Sequence, residues 1–401
     1  MKILLLNLYF PPDTSATAKM AAGVAEALAE RHDVTVLCGR PSYDPSERRP
    51  WRLWQSETAG KVRIVRVGST EYPRFAMKRR VINYLSYVAL AVPCALFTRC
   101  DVVLAMTDPP FQGIVGAFVA VLKRRPYVYN IRDLYPEMAL SGALVQPGVL
   151  ARTWEKLHRW ALRQATRVIV LGEDMGARIE AKGISRERIA IVRDGVELPA
   201  KGAAVPALDE EVIRTIRGND KFVLVHAGNL GFYGAWESLV AGVRELAGEE
   251  VSLVFVGEGA QQEQIKTLAN GARNVRLLPY FPANKIPSVL AAADAHVVTV
   301  KRGLEGVVVP SKMYGILAAG KPILAVAPRE SDVVSLGNKF GFGIAADPDK
   351  TEEVSSAMRA LARNPEKTKC MGAAARNAAS EFDKVKELKE FLRVVEDAVK
   401  K

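Results

Sequence analysis

Short apolar runs alternate with amphipathic stretches along this chain, in two series separated by a break. The first series runs through KILLLNL (2–8), DVTVLC (33–38), VRIVRV (62–67), DVVLAM (101–106), PYVYNI (126–131), RVIVLG (167–172) and IAIVRD (189–194). The second runs through KFVLVHAG (221–228), VSLVFVG (251–257), NVRLLPY (274–280), AHVVTV (295–300), KPILAVA (321–327) and FGIAAD (342–347). Runs this short, rich in Val, Ile and Leu and separated by helical patterns, predict parallel sheets built from strand-helix-strand units. The first helix is the clearest, with Met20, Val24, Ala27 and Leu28 at i, i+4, i+7 and i+8 and Thr14 or Ser15 as its N-cap. Between the series, RDGVELPAKGAAVPALDEE (193–211) breaks the pattern with Asp-Gly and two prolines and reads as a linker. At 401 residues the chain is longer than one core usually supports. Two doubly wound α/β domains in tandem are therefore expected, with ligands outside the carboxyl ends of the strands. The last stretch, VKELKEFLRVVEDAVKK, sets Val385, Leu388, Leu392, Val395 and Ala398 on one stripe that needs a partner surface.

Charge changes the picture in one half only. Residues 1–200 hold 29 Lys/Arg against 19 Asp/Glu, whereas residues 201–401 hold 27 against 25. A basic N-terminal half points to a polyanion, a nucleic acid or an acidic membrane surface, or else to a solvated basic face. Residues 81–98 carry no charge and follow the basic RFAMKRR (74–80). Pro93, Asn83 and Ser86 argue against a membrane span, which needs about 20 apolar residues. A helix touching the membrane surface is favoured over a core helix, because the basic cluster suits anionic headgroups. Cys38, Cys94, Cys100 and Cys370 have no CxxC spacing and read as reduced packing residues. MKILLLNLYFPPD has no small-residue cleavage site, so it is expected to be a strand rather than a signal peptide, in a cytoplasmic protein.

Three loops of the C-terminal half carry candidate chemistry. VHAGNLGFYGAWESL places Gly228, Gly231 and Gly234 between a strand and a helix near Trp236, with Asn229 in the loop. Glycines so placed let backbone N–H groups approach an anion, or simply make a flexible turn. VGEGA sets Gly257 and Gly259 around Glu258, and Gln262 stands where a dinucleotide fingerprint needs its third glycine, which disfavours an oxidoreductase. In RGLEGVVVPSKMYGILAAGKPI (302–323), Pro310 and Ser311 precede a helix, with Ser311 as its expected N-cap. Lys312 would add a full positive charge for a phosphate, and Glu305 would accept hydrogen bonds from sugar hydroxyls. A surface acid and an ordinary capped helix is the plainer alternative. In the N-terminal half, FPPDTSATAK (10–19) and IRDLYPE (131–137) leave strands, and the acids and Arg132 of the second loop would orient or activate an acceptor hydroxyl, or else form an N-cap and a surface ion pair.

The order of these pieces, YFPPD, RDLYPE, RDGVE, HAGNLG, VGEG, LAAADAHVV and LEGVVVPSKMYGILAAGKP, resembles the GT-B glycosyltransferases of family 4 (group 1) over nearly the whole chain. The surface-polysaccharide branch, colanic acid and O-antigen, is the nearest likeness. The resemblance implies an acceptor-binding Rossmann-like domain at 1–195, a nucleotide-sugar-binding one at 196–382 across a central cleft, and a helix at 383–401 packing on the first. It implies retention, no metal, no cofactor and no nucleic acid partner, with a lipid-linked (polyprenyl diphosphate) saccharide as acceptor at the inner face of the cytoplasmic membrane. Domain closure would align donor and acceptor.

Residue by residue, Glu305 is similar to the first Glu of the family's Glu-x7-Glu signature, and Gly306 and Val307 would lend N–H groups to sugar and diphosphate. Tyr280 and Phe281 would meet the nucleobase. Gly228, Asn229, Gly231, Gly257, Glu258 and Ser311 complete the donor side. Asp133 faces the reacting centre with Glu305 and Lys312, while Pro12, Asp13, Arg132 and Glu137 lie on the acceptor side. The second Glu is missing, with Met313 or Gly315 in its place, as are the usual phosphate cations after the first C-terminal strand. Lys312 is the expected substitute, with Lys301 and Arg302 in reserve. A phosphorylase, a nucleotide-sugar epimerase and a noncatalytic nucleotide- or membrane-binding subunit are the rival readings.

Overall fold

A computed structural model of the chain describes residues 1–41, 51–72, 77–199 and 207–400, the side chains of residues 77 and 78 excepted. The linker expected at 193–211 thus lies partly outside the described residues, at 200–206, and so does the basic cluster expected at 74–80, at 74–76. The chain forms two compact units. One comprises Met1–Leu171, Gly176–Val192 and Leu388–Lys401; the other comprises Gly172–Met175 and Arg193–Glu387.

In the first unit the strands are β1 (Lys2–Leu6), β2 (Asp33–Cys38), β3 (Trp54–Ala59), β4 (Val62–Val67), β5 (Val102–Ala105), β6 (Tyr127–Asn130), β7 (Arg167–Val170) and β8 (Ile189–Ile191). They lie in the order β3-β4-β2-β1-β5-β6-β7-β8, parallel except for the antiparallel β3–β4 pair. The second unit holds β9 (Phe222–Ala227), β10 (Val251–Val256), β11 (Val275–Leu278), β12 (Ala295–Thr299), β13 (Ile323–Val326) and β14 (Gly343–Ala346), all parallel, in the order β11-β10-β9-β12-β13-β14. Buried on both faces, the central strands read as unbroken apolar runs. β3 is different. WQSETA is mostly polar on an exposed edge, and it turns into β4 through Gly60, whose φ of 58° is left-handed.

The first helix, Ala16–Ala29, starts where its cap chemistry requires: Ser15 Oγ accepts from the Ala18 N–H at 3.1 Å. The last helix, Lys384–Lys400, buries Phe391, Leu392, Val395 and Ala398 against Ile3, Val24, Val34 and Ile64 of the first unit. Each such side chain contributes roughly 1.5–3 kcal/mol. Its stripe is rotated from the expected one: Val385 is 56% exposed and Phe391 is buried instead.

Candidate functional site

Strand order selects the loops. In the second sheet the chain leaves β9 towards β10 and leaves β12 towards β13, so the neighbours β9 and β12 form the switch point where doubly wound sheets leave a crevice. Residues 228–235 follow β9 and residues 300–311 follow β12. In the first sheet β1 and β5 stand in the same relation, which selects 7–15 and 106–111.

After β9 and β10 the glycines serve close packing. Gly228 (φ 140°) and Gly257 (φ 147°) donate to Val256 O and Leu278 O, both at 2.9 Å, continuing the strand ladder. Their N–H groups are therefore occupied, which corrects the expectation that they cradle an anion. The Leu230 N–H donates to Glu258 O at 2.8 Å and locks the two loops together. Gly231 lies against the Tyr233 ring, and its carbonyl accepts from Trp236 Nε1 at 2.8 Å. Asn229 and Glu258 are exposed beside them. A Cβ on Gly257 would sit 2.1 Å from Gly228 O. Gly257→Ala should cost about 3 kcal/mol or more in thermal unfolding. Gly248→Ala, with nothing within 4 Å of its Cβ, should stay within about 0.5 kcal/mol; equal losses would refute the packing argument.

Beneath Gly228 lies Lys312. As a residue it is half-buried, but its ammonium is turned inward, 3.0 Å from His226 Nε2, and a Cβ on Gly228 would meet Nζ at 3.0 Å. His226 is fully buried, with Trp236 edge-on to its ring at 5.0 Å. Desolvation holds the imidazole well below its ordinary pKa, and the neighbouring lysine pushes the same way. Loss of water also lowers the Lys312 ammonium to about 7. The full charge expected of Lys312 is thus about half present at neutrality. No carboxylate lies within ion-pair reach of its Nζ among the described residues.

The segment after β12 is shaped by internal bonds. Glu305 is half-buried, and its Oε2 accepts the Gly303 N–H at 2.7 Å. Gly306 (φ 67°) donates its N–H to the Asp174 carboxylate, and the Val307 N–H donates to Leu304 O at 3.0 Å. Both N–H groups assigned to sugar and diphosphate are engaged inside the protein, a second correction. Ser311 is exposed, has helical backbone angles and makes no capping bond, so the expected cap is absent ahead of the short helix Lys312–Ala318. Met313 is buried in the core, which leaves its side chain unable to replace the missing carboxylate. Arg302 is bound to Asp347 at 2.6 Å and to Asp349, and is no reserve cation. Tyr280 is 49% exposed beside Gly257, while Phe281 packs inward among Val225, Val254 and Val289, so of the two only Tyr280 presents its ring to the surface.

Asp174 and Asp332 sit behind Gly306. The Asp332 N–H donates to Asp174 Oδ2 at 3.0 Å, and Arg193 Nη2 bonds Asp332 Oδ1 at 3.0 Å. Burial raises the Asp174 carboxyl above its usual range, against the N–H groups that it accepts. Sequence reasoning passed over Asp174, Asp332 and His226. For His226 the signal was one titratable side chain near the carboxyl end of an otherwise apolar strand.

In the first unit the loops after β1, β5 and β6 bring together Tyr9, Asp108, Asp133 and Tyr135. The helix Met77–Phe97 adds Arg80 and Tyr84, whose guanidinium and hydroxyl meet at 2.5 Å. Arg80, expected at a membrane, thus points into this cluster. Burial raises the Tyr135 hydroxyl far above its ordinary pKa, with Asp133 and Asp108 adding to it. Arg132 is half-buried, Pro12 lines the loop after β1, and Asp13 is buried. Glu137 is taken elsewhere: it pairs with Lys182 at 2.6 Å, which also holds Glu155 at 2.7 Å. That buried ion pair corrects its acceptor-side assignment.

Two doubly wound α/β units, the second with a lysine buried at its switch point, define the class to which comparison with known proteins leads. Residues 15–195 match the Glycosyl transferase 4-like domain and residues 209–378 match Glycosyl transferases group 1; the chain belongs to this glycosyltransferase family. It is 22% identical over 378 residues to the putative colanic acid biosynthesis glycosyl transferase WcaI of Escherichia coli K12, covering 90% of this chain and 91% of that one. It is 26% identical to the probable glycosyltransferase WbjE of Pseudomonas aeruginosa over 63% of each chain. Among solved structures, Anabaena Alr3699/HepE in complex with UDP superposes with a TM-score of 0.69 at 18% identity, covering 99% of this chain and all of the other. WaaG, a glycosyltransferase involved in lipopolysaccharide biosynthesis, superposes with a TM-score of 0.67 at 17% identity, over 98% and 99%. The fold is GT-B.

Proposed function

We propose that this chain is a retaining, metal-independent glycosyltransferase that moves a hexosyl, N-acetylamino or deoxy sugar from a nucleoside diphosphate to a lipid-linked saccharide. It would act in surface polysaccharide assembly at the cytoplasmic face of the membrane. One observation carries the donor half: an ammonium is buried at the sheet's switch point with a neutral imidazole as its partner. Burying a cation without an anion is unfavourable unless a ligand supplies the anion. A diphosphate at the mouth of β9 and β12 would restore the Lys312 charge and be neutralised as it leaves. Glu305 would accept donor-sugar hydroxyls, and Tyr280 would stack on the base. Asp133 and Arg132, with Tyr9 and Asp108 beside them, would orient the acceptor hydroxyl. The UDP and UDP-glucose complexes of HepE support a nucleoside diphosphate donor, and the names of WcaI and WaaG support the polysaccharide setting.

Membrane association is favoured by the helix Met77–Phe97. Only 22% of its most apolar window, within Arg79–Phe97, is buried, and Val81, Ile82, Leu85 and Phe97 lie on the surface. A core helix would hide them.

Thermal unfolding against a panel of nucleoside diphosphates and nucleotide sugars tests the donor site. One compound at 100 times its Kd should add about 2.7 kcal/mol, and Lys312→Ala should lose that gain. If no nucleotide stabilises the wild type, the donor assignment fails.

A further inference from the structure

A second groove of the first unit lies apart from the loops just described. The register of β2, β3 and β4 puts Thr35, Ser56, Trp54, Val65 and Val67 on one face of the sheet. The second half of the helix Met77–Phe97 stands over that face through Leu90, Pro93, Cys94 and Phe97, leaving a groove of about 810 Å³. This lies within the roughly 300–1,000 Å³ typical of small-molecule sites. Its floor is mostly apolar, with Thr35 and Ser56 among Trp54, Val65 and Val67. Among the described residues its lining carries Lys2, Lys61, Arg63 and Arg99 against a single acid, Asp33. Lys2 and Asp33 open β1 and β2 while Val67 closes β4, so the groove runs along the β3–β4 edge from the amino ends of the strands and does not include Asp108 or Asp133 of the acceptor-side loops.

We propose that this groove holds an anionic phospholipid drawn from the bilayer surface, with a hydrocarbon chain between helix and sheet and its phosphate on the basic rim. The inference rests on the membrane-surface reading above. Two observations commit it to that occupant. The cations on the rim complement a phosphate, and a neutral solute would leave them unused. The exposed apolar positions of the helix also wind from Val81 through Leu85 to Phe97, about 24 Å along its axis and about 160° around it, so that Phe97, 89% exposed, lies at the groove. Contact of this end of the helix with headgroups would place the groove entrance at the level of the lipid chains. The bound lipid would fix the orientation of the unit on the membrane, leaving the carboxyl-end loops clear for acceptor.

Cys94, in the groove wall, reports occupancy, and exposed Cys370 of the second unit is its internal reference. Burial raises the Cys94 thiol above its ordinary pKa, so alkylation by N-ethylmaleimide is followed at alkaline pH. Monomeric dihexanoyl-phosphatidylglycerol at ten times its Kd should slow Cys94 labelling about tenfold and leave Cys370 unchanged. Dihexanoyl-phosphatidylcholine should slow it much less. Lys61→Ala combined with Arg63→Ala, both exposed positions, should remove the protection with the fold intact. Absence of protection, or equal protection by both lipids, overturns the proposal. So does lipid-free protection that rises with protein concentration, which would mark a second copy of the chain as the occupant. Flotation with phosphatidylglycerol vesicles separates the two readings. Flotation without Cys94 protection sinks the groove alone, and protection without flotation sustains the groove while sinking the membrane-surface reading.

Discussion

Lys312→Met is expected to slow sugar transfer severely while making the ligand-free protein more stable. The ammonium is buried beside a neutral imidazole, and desolvation lowers it from 10.5 to about 7. The unfolded chain therefore binds more protons than the native one between pH 7 and 10.5. The cost to folding is full below pH 7 and fades as pH rises towards 10.5. At about 1.36 kcal/mol per pH unit, Met should add up to roughly 5 kcal/mol below neutrality and little at high pH. Transfer should fall by about 10²–10³-fold, the scale of removing one charge-stabilising group from a reaction centre. Donor affinity in the wild type should weaken as pH climbs through 7, because the protonated amine is the form that meets a diphosphate. Denaturant unfolding of both proteins across pH, with kinetics at each pH, checks all three. A variant that is destabilised throughout, or that transfers sugar normally, would remove Lys312 from the donor site.

Glu305→Gln should lower kcat/KM for the donor by about 10- to 150-fold, the equivalent of a charge-assisted hydrogen bond of roughly 1.5–3 kcal/mol. Stability should change little, since the glutamine oxygen can still accept the Gly303 N–H that Glu305 holds at 2.7 Å. The loss should appear with the sugar nucleotide and not in binding of the free nucleoside diphosphate, which lacks the hydroxyls concerned. Equal losses for both ligands would move Glu305 from the sugar to the phosphates. Turnover of donor without acceptor would instead favour an epimerase.

How much was legible follows from what each residue's environment consists of. Every apolar run named from the sequence forms a strand, because a strand buried on both faces must be apolar whatever surrounds it. β3 escaped because an exposed edge strand is specified by its neighbour and by the Gly60 turn, and its own residues are mostly polar. Glu305, Lys312 and Tyr280 were legible as chemical types in loops after strands. Their settings were not: Phe281 turns inward, Glu137 is captured by Lys182, and Gly306 gives its N–H to Asp174, more than a hundred residues away in sequence. Such bonds depend on which loops the strand order sets side by side.

By itself, then, the sequence determined the two α/β sheets, the loops that carry charge and the family to which the chain belongs, all of which depend on local periodicity and short motifs. Only the tertiary structure decided that Lys312 lies under Gly228 against His226, that Arg80 and Tyr84 join Asp108 and Asp133, and that a basic-rimmed groove opens behind residues 90–97. The physical reason is that burial and distance set the protonation of an amine, and neither exists until strands remote in the chain are packed together.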